Sequence, residues 1–266
     1  METCGVRARD RRPVQAPFDA EEAYSRAEQL FIQNSVASIG VGGVDGFNVQ
    51  GLSRDREAGA MLDADPIFFA GEDGFGARYA LAATNGSPAN LALNDNQSLA
   101  LYGRLELMYG KLARIGGAGF TNKETLRPEA ADQIDRDAFG WTADVTVQAA
   151  GVTLLGSVIS TKYTYDSLAV QPEVTALGYQ ASIAYQEPFF GIQPTFRYAS
   201  YDPSSSTSGQ GNNLIFEEDD RTYYTVGLNY NPKYPIRVMV NYTITNEGKA
   251  IELDNDRLDA LLQLMW

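Results

Sequence analysis

Segment after segment of this chain alternates apolar and polar residues with a period of two, and that period commits it to pleated strands with two unlike faces. From Ser98 to Tyr109, one face carries Leu99, Leu101, Gly103, Leu105, Leu107 and Tyr109, and the other carries Ala100, Tyr102, Arg104, Glu106 and Met108. The same split recurs with Phe75, Tyr79 and Leu81 set against Arg78, and with Phe139, Trp141, Val145 and Val147 set against Thr142, Asp144, Thr146 and Gln148. Farther on, Tyr179 and Ile183 oppose Gln180 and Ser182, and Phe196 and Tyr198 oppose Thr195 and Arg197. Tyr224, Val226, Leu228 and Tyr230 oppose Thr225 and Asn229, and Val238, Val240, Tyr242 and Ile244 oppose Arg237, Asn241 and Thr243. The run from Gly151 to Tyr163 is less decided; Lys162 is assigned inward there because a charge is costly against lipid.

About eleven such segments follow one another, and their connections alternate in length. Tyr109–Lys111 and Ala149–Gly151 are short, whereas residues 85–96, 121–137 and 202–220 are long and polar. Short turns on one rim and long loops on the other predict an all-β, antiparallel up-and-down arrangement, of the kind that closes into a transmembrane β-barrel. The ending fits the pattern: Leu258, Ala260, Leu262, Leu264 and Trp266 form an apolar row that reaches the last residue, so this end is expected to be paired and covered rather than frayed. A soluble β-sandwich binding carbohydrate or another ligand is the competing architecture, since alternation also suits it.

Composition narrows the function. A net charge of −13 disfavours nucleic acid as a partner, because phosphate binding draws on basic patches. The chain has no His, which removes the commonest general base and nitrogen metal ligand, and its single Cys4 has no internal disulfide partner. Neither an enzyme nor a cofactor or metal protein is expected. The acidic runs Glu217–Asp220 and Glu252–Asp256 lack the ligand spacing of a calcium loop. Gly116–Gly119 is no phosphate cradle, having no Lys-Ser or Lys-Thr behind it. Helical spacing over residues 19–33 predicts a short helix, expected in an extracellular loop folded onto the barrel.

With these features in place, the stretches RDREAGAMLDAD, YALAATNGSPANLALNDN and GRLELMYG and the ending VMVNYTITNEGKAIELDNDRLDALLQLMW resemble the phosphate-selective porin O and P family of bacterial outer membranes. The resemblance spans most of residues 54–266 and implies a barrel of about sixteen strands behind a signal peptide. The chain is therefore expected to be a carboxy-terminal portion of such a barrel, with residues 1–53 a partly flexible segment before the barrel domain. It further implies a passive channel for small anions such as phosphate, or for other hydrophilic solutes. The implied partners are outer-membrane lipid and the barrel-assembly machinery, the latter reading Leu258, Leu262, Leu264 and Trp266; homotrimeric association is left open. Inward cations that replace part of an anion's hydration would be Arg78, Arg104, Lys162, Arg197 and Arg237. The competing role for each is to solvate the wall or to pair with Glu106 or Asp144.

Overall fold

The fold, a computed structural model, is described for residues 6–9, 13–23, 29–41, 49–53, 56–69, 71, 73–86, 98–126, 134–166, 173–208, 220–233, 236–247 and 255–264. The short elements come first: β1 (Val6–Arg9), β2 (Pro13–Gln15), α1 (Ala20–Ala23), α2 (Val36–Ile39), β3 (Gly40–Val41) and β4 (Val49–Gln50). The long strands are β5 (Arg56–Ala64), β7 (Phe75–Thr84), β8 (Ala100–Tyr109), β9 (Ala113–Leu126), β10 (Ile134–Ala149) and β11 (Val152–Tyr165), with the two-residue β6 (Ile67–Phe68) between β5 and β7. They continue as β12 (Glu173–Tyr185), β13 (Ile192–Ser208), β14 (Arg221–Lys233), β15 (Ile236–Glu247) and β16 (Arg257–Leu264).

One 14-stranded antiparallel sheet contains all of these strands except β3 and β4, and from β7 onward each strand pairs with the next in sequence. The segments read from alternation are β5 and β7 to β16. A sandwich would divide into two packed layers; here one hydrogen-bonded path runs from β1 to β16. The path does not close: among the described residues, no ladder joins β16 to β1 or β5. The short connections are tight. Ala150 (φ 51°) and Gly151 (φ 80°) turn β10 into β11 with two positive φ values in succession, the backbone of a two-residue hairpin whose twist matches the strands it joins.

The faces sort as the alternation predicts, but with the polarity of a water-soluble sheet inverted. Outward-facing Leu101, Leu105, Leu107, Trp141, Val226, Leu228 and Tyr242 are exposed, while Arg104, Glu106, Asp144, Arg197, Asn229 and Asn241 on the inner face are buried. Part of that burial is supplied by the chain's own amino-terminal segment. Phe18, Val36, Ala37 and Leu52 pack with Tyr102, Phe120, Ile159, Tyr201 and Tyr223 in one core on the concave side.

The arrangement bears on three expectations. Among the described residues of the amino-terminal segment, β1 and β2 pair with β5, and residues 14–21 and 29–38 contribute contacts to the inner face. Within the helical spacing of residues 19–33, the described helix is Ala20–Ala23, whose Glu21 meets Arg197 on the inner face; residues 24–28 lie outside the described residues. Lys162 points outward. It stands opposite exposed Phe139, between inward-facing Thr161 and Tyr163, and pairs with Glu173 at 2.6 Å. It lies near the carboxy-terminal end of β11. Residues 217–219 and 252–254 of the two acidic runs, and Trp266, lie outside the described residues.

Candidate functional site

The concave face is the candidate site, and it is layered along the strands. Toward the long-loop rim it is aromatic. Phe18 meets Phe120 edge-on with ring centres 4.7 Å apart, and Phe120 stacks on Tyr102 at 5.6 Å. The Tyr102 hydroxyl donates to buried Glu57 (2.9 Å), which also receives the hydroxyl of Thr84. Close approach of the inner segment depends on a missing side chain: a Cβ on Gly178 would stand 2.3 Å from the Cβ of Ala37 in α2.

The middle layer is charged and internally matched. Arg104 donates to Glu106 (2.8 Å) on its own strand and to Asp144 (2.7 Å) on β10. Arg78 forms a forked pair with Asp63, both Nη2 contacts at 2.9 Å, and its other nitrogen lies 3.7 Å from Glu106. Arg114 stands 4.0 Å from the same Glu106. Nearer the long loops, Arg136 pairs with Glu124 (2.6 Å) and covers the Tyr163 ring at 4.1 Å. In each pair, a cation that would be costly to bury alone has a carboxylate beside it.

On the far side of the curl, four side chains hold the main chain of residues 29–34. Arg197 donates to the carbonyls of Gln33 (2.9 Å) and Asn34 (3.4 Å) and to Glu21 (3.2 Å). Asn229 donates to the carbonyl of Leu30 (3.0 Å), Arg237 donates to that of Gln29 (2.5 Å), and Asn241 accepts from the amide of Ile32 (2.8 Å). The Arg197 guanidinium also lies over the Phe31 ring at 4.4 Å. Within the inner segment, Asp19 is buried and shares the Ser38 hydroxyl with Glu21. Burial first, and then the charge of Glu21, push the Asp19 carboxyl up from an ordinary 3.8 to about 7.

Toward the short-turn rim, these layers leave a chamber of about 800 Å³. Its wall draws on strands from β7 to β15, with residues 29–34 forming part of its boundary. Family models, curated proteins and solved structures give no match to this chain. The reading of the site therefore rests on its own geometry.

Of the five cations expected to line a pore, Arg78 and Arg104 meet in one network through Glu106. Arg197 and Arg237 meet on the inner segment, and Lys162 stands apart on the outer face. Leu258, Leu262 and Leu264 form an exposed row on β16. Among the described residues, no acid or Cys cluster is placed to hold a metal ion. Sequence reasoning did not single out Arg114, Asp63 or the clamp on residues 29–34. Arg114 was legible from its parity with Gly116 on β9, whereas the clamp joins residues too distant in sequence for any local pattern to reveal.

Proposed function

We propose that this chain forms the wall of a bacterial outer-membrane β-barrel of the porin type, through which small anions or other hydrophilic solutes diffuse passively. The observation that carries the reading is the inverted pair of faces: exposed Leu, Val, Tyr and Trp outside, with buried Arg, Glu, Asp and Asn inside. In water such a surface is unstable. Each outward Leu or Phe gains roughly 1.5–3 kcal/mol on leaving water, and a hydrocarbon layer offers that to all of them at once. Strands with every backbone group paired are one of the two ways a chain crosses lipid, so the sheet is read as part of a wall that closes in the membrane. The resemblance read in the sequence over most of residues 54–266, to phosphate-selective porins, points the same way. The exposed row on β16 is the stretch proposed to engage the barrel-assembly machinery.

The test uses the full chain refolded in detergent and reconstituted into vesicles of phosphatidylethanolamine and phosphatidylglycerol. The expected results are heat-modifiable migration on gels and vesicle swelling in small hydrophilic solutes. A folded, monodisperse protein in plain buffer without detergent would overturn the proposal.

A further inference from the structure

The chamber at the short-turn rim has a chemistry unlike that of the charged layer behind it. Its wall is rich in amides and hydroxyls, among them Gln148, Gln180, Gln193, Thr146, Thr153 and Ser182, while Leu155, Met108 and Phe31 add apolar surface. At about 800 Å³ it falls within the roughly 300–1,000 Å³ typical of small-molecule sites. Two of its buried polar atoms make no hydrogen bond among the described residues: Gln180 Nε2, a donor, and Glu106 Oε2, an acceptor that has the Arg78 guanidinium at 3.7 Å beside it. Buried groups of this kind are normally satisfied, so the pair marks where a ligand's polar atoms belong.

The pair also selects the ligand. A hydroxyl both donates and accepts, so a molecule rich in hydroxyls can satisfy an amide N–H and a carboxylate oxygen in one site. A phosphate accepts at Gln180 but meets repulsion at Glu106. The lining cations around it are already engaged or set apart: Arg78, 3.7 Å from Glu106, is forked onto Asp63, Arg114 stands 4.0 Å from Glu106, Arg237 donates to the carbonyl of Gln29, and Lys111 is exposed at the turn after β8. Apolar side chains between the amides suit the C–H faces of a sugar ring.

We infer that this chamber is a binding site for a neutral polyhydroxylated solute, a mono- or disaccharide, rather than for an inorganic anion. The binding site stands on the chamber's own chemistry; its use in passage across a membrane rests on the porin reading above.

The experiment is calorimetric titration of the full chain, folded in lauryldimethylamine oxide so that no sugar detergent competes, with glucose, maltose and inorganic phosphate. Saturable binding of glucose or maltose, unchanged by a tenfold excess of phosphate, is expected. Gln180→Leu and, as a second variant on another strand, Thr153→Val should each weaken it by about three- to ten-fold, the loss of one hydrogen bond. Tyr242→Phe, on the outer face, should leave it unchanged. Saturable phosphate binding that displaces the sugar, absence of sugar binding to a heat-modifiable wild-type protein, or unaltered affinity in both folded variants would overturn the inference. Vesicle swelling separates the two proposals. Sugar binding without swelling leaves the site and removes the porin reading, whereas swelling without saturable sugar binding does the reverse.

Discussion

Arg104 and Asp144 lie on strands that do not pair with each other, yet the guanidinium of one stands 2.7 Å from the carboxylate of the other. The strand between them, β9, places Gly116 in register with both Glu106 and Asp144. A Cβ there would stand 2.5 Å from Arg104 Nη2 and 2.8 Å from Asp144 Oδ1. The glycine is the gap through which the pair meets. Gly116→Val should part the two charges, both buried, and destabilise the protein by about 3–5 kcal/mol, the cost of breaking a buried pair. Urea unfolding in detergent checks this, with Gly116→Ala falling between. Equal midpoints for wild type and the Val variant would show that the bridge is dispensable.

The outer face should report lipid contact position by position. Leu228→Arg or Val240→Arg places a charge on the exposed row and should cost about 2–4 kcal/mol if the site lies near the midplane. Asn229→Arg acts on the opposite face and should instead release residues 29–34, because Asn229 is fully buried and bonded to Leu30. Folding yields into vesicles separate the two effects. Equal losses at Leu228, Val240 and Asn246, an exposed polar residue farther along the same face, would refute the assignment of lipid contact.

The clamp on residues 29–34 should be the main restraint on the inner segment. With Cys4→Ser removing the native thiol, a cysteine introduced by Leu30→Cys is the reporter. Adding Arg197→Leu should raise its maleimide labelling rate about tenfold or more, since hydrogen bonds from a charged donor contribute roughly 1.5–3 kcal/mol. Unchanged labelling would mean that the aromatic layer around Phe18 holds the segment alone.

Docking of the inner segment should also weaken as pH rises. Asp19 faces Glu21 and Ser38 within the segment and Asp144 on β10, while the nearby cations Arg104 and Arg197 are engaged by Asp144 and Glu21. Its folded pKa, about 7, is higher than the ordinary 3.8 of the undocked carboxyl. Its contribution is therefore fully present below about pH 4 and is lost as pH rises through about 7. A spin label at Leu30→Cys should be less mobile at pH 5 than at pH 8.5, and Asp19→Asn should flatten the difference. A wild-type label equally immobile at both values would sink this account.

The strands and their facing were legible because alternation is a local property, and each long strand carries enough residues to fix its phase. Lys162 shows the limit of one physical rule. Aversion of charge to lipid argued for an inward side chain, but the parity of Thr161 and Tyr163 decided otherwise, and Glu173 supplied the partner. Pairing of the inward arginines with Glu106 and Asp144 was weighed from type and face alone, and it holds for Arg104 with both acids. The inner segment was not legible. What holds it is main-chain recognition by Arg197, Asn229, Arg237 and Asn241, which leaves no imprint on the sequence it grips.

That clamp has a consequence for the order of folding. Every hairpin of the sheet joins neighbours in sequence, but the bond from Ile32 to Asn241 spans 209 residues and that from Arg197 to Glu21 spans 176. Contacts across such separations form late, since the chain must close a large loop before they repay its entropy. A chain shortened before β13 would still make its early hairpins and would leave residues 29–34 with none of these four holds. The grip on residues 29–34 is thus a late event, made only once β13 to β15 have taken their places.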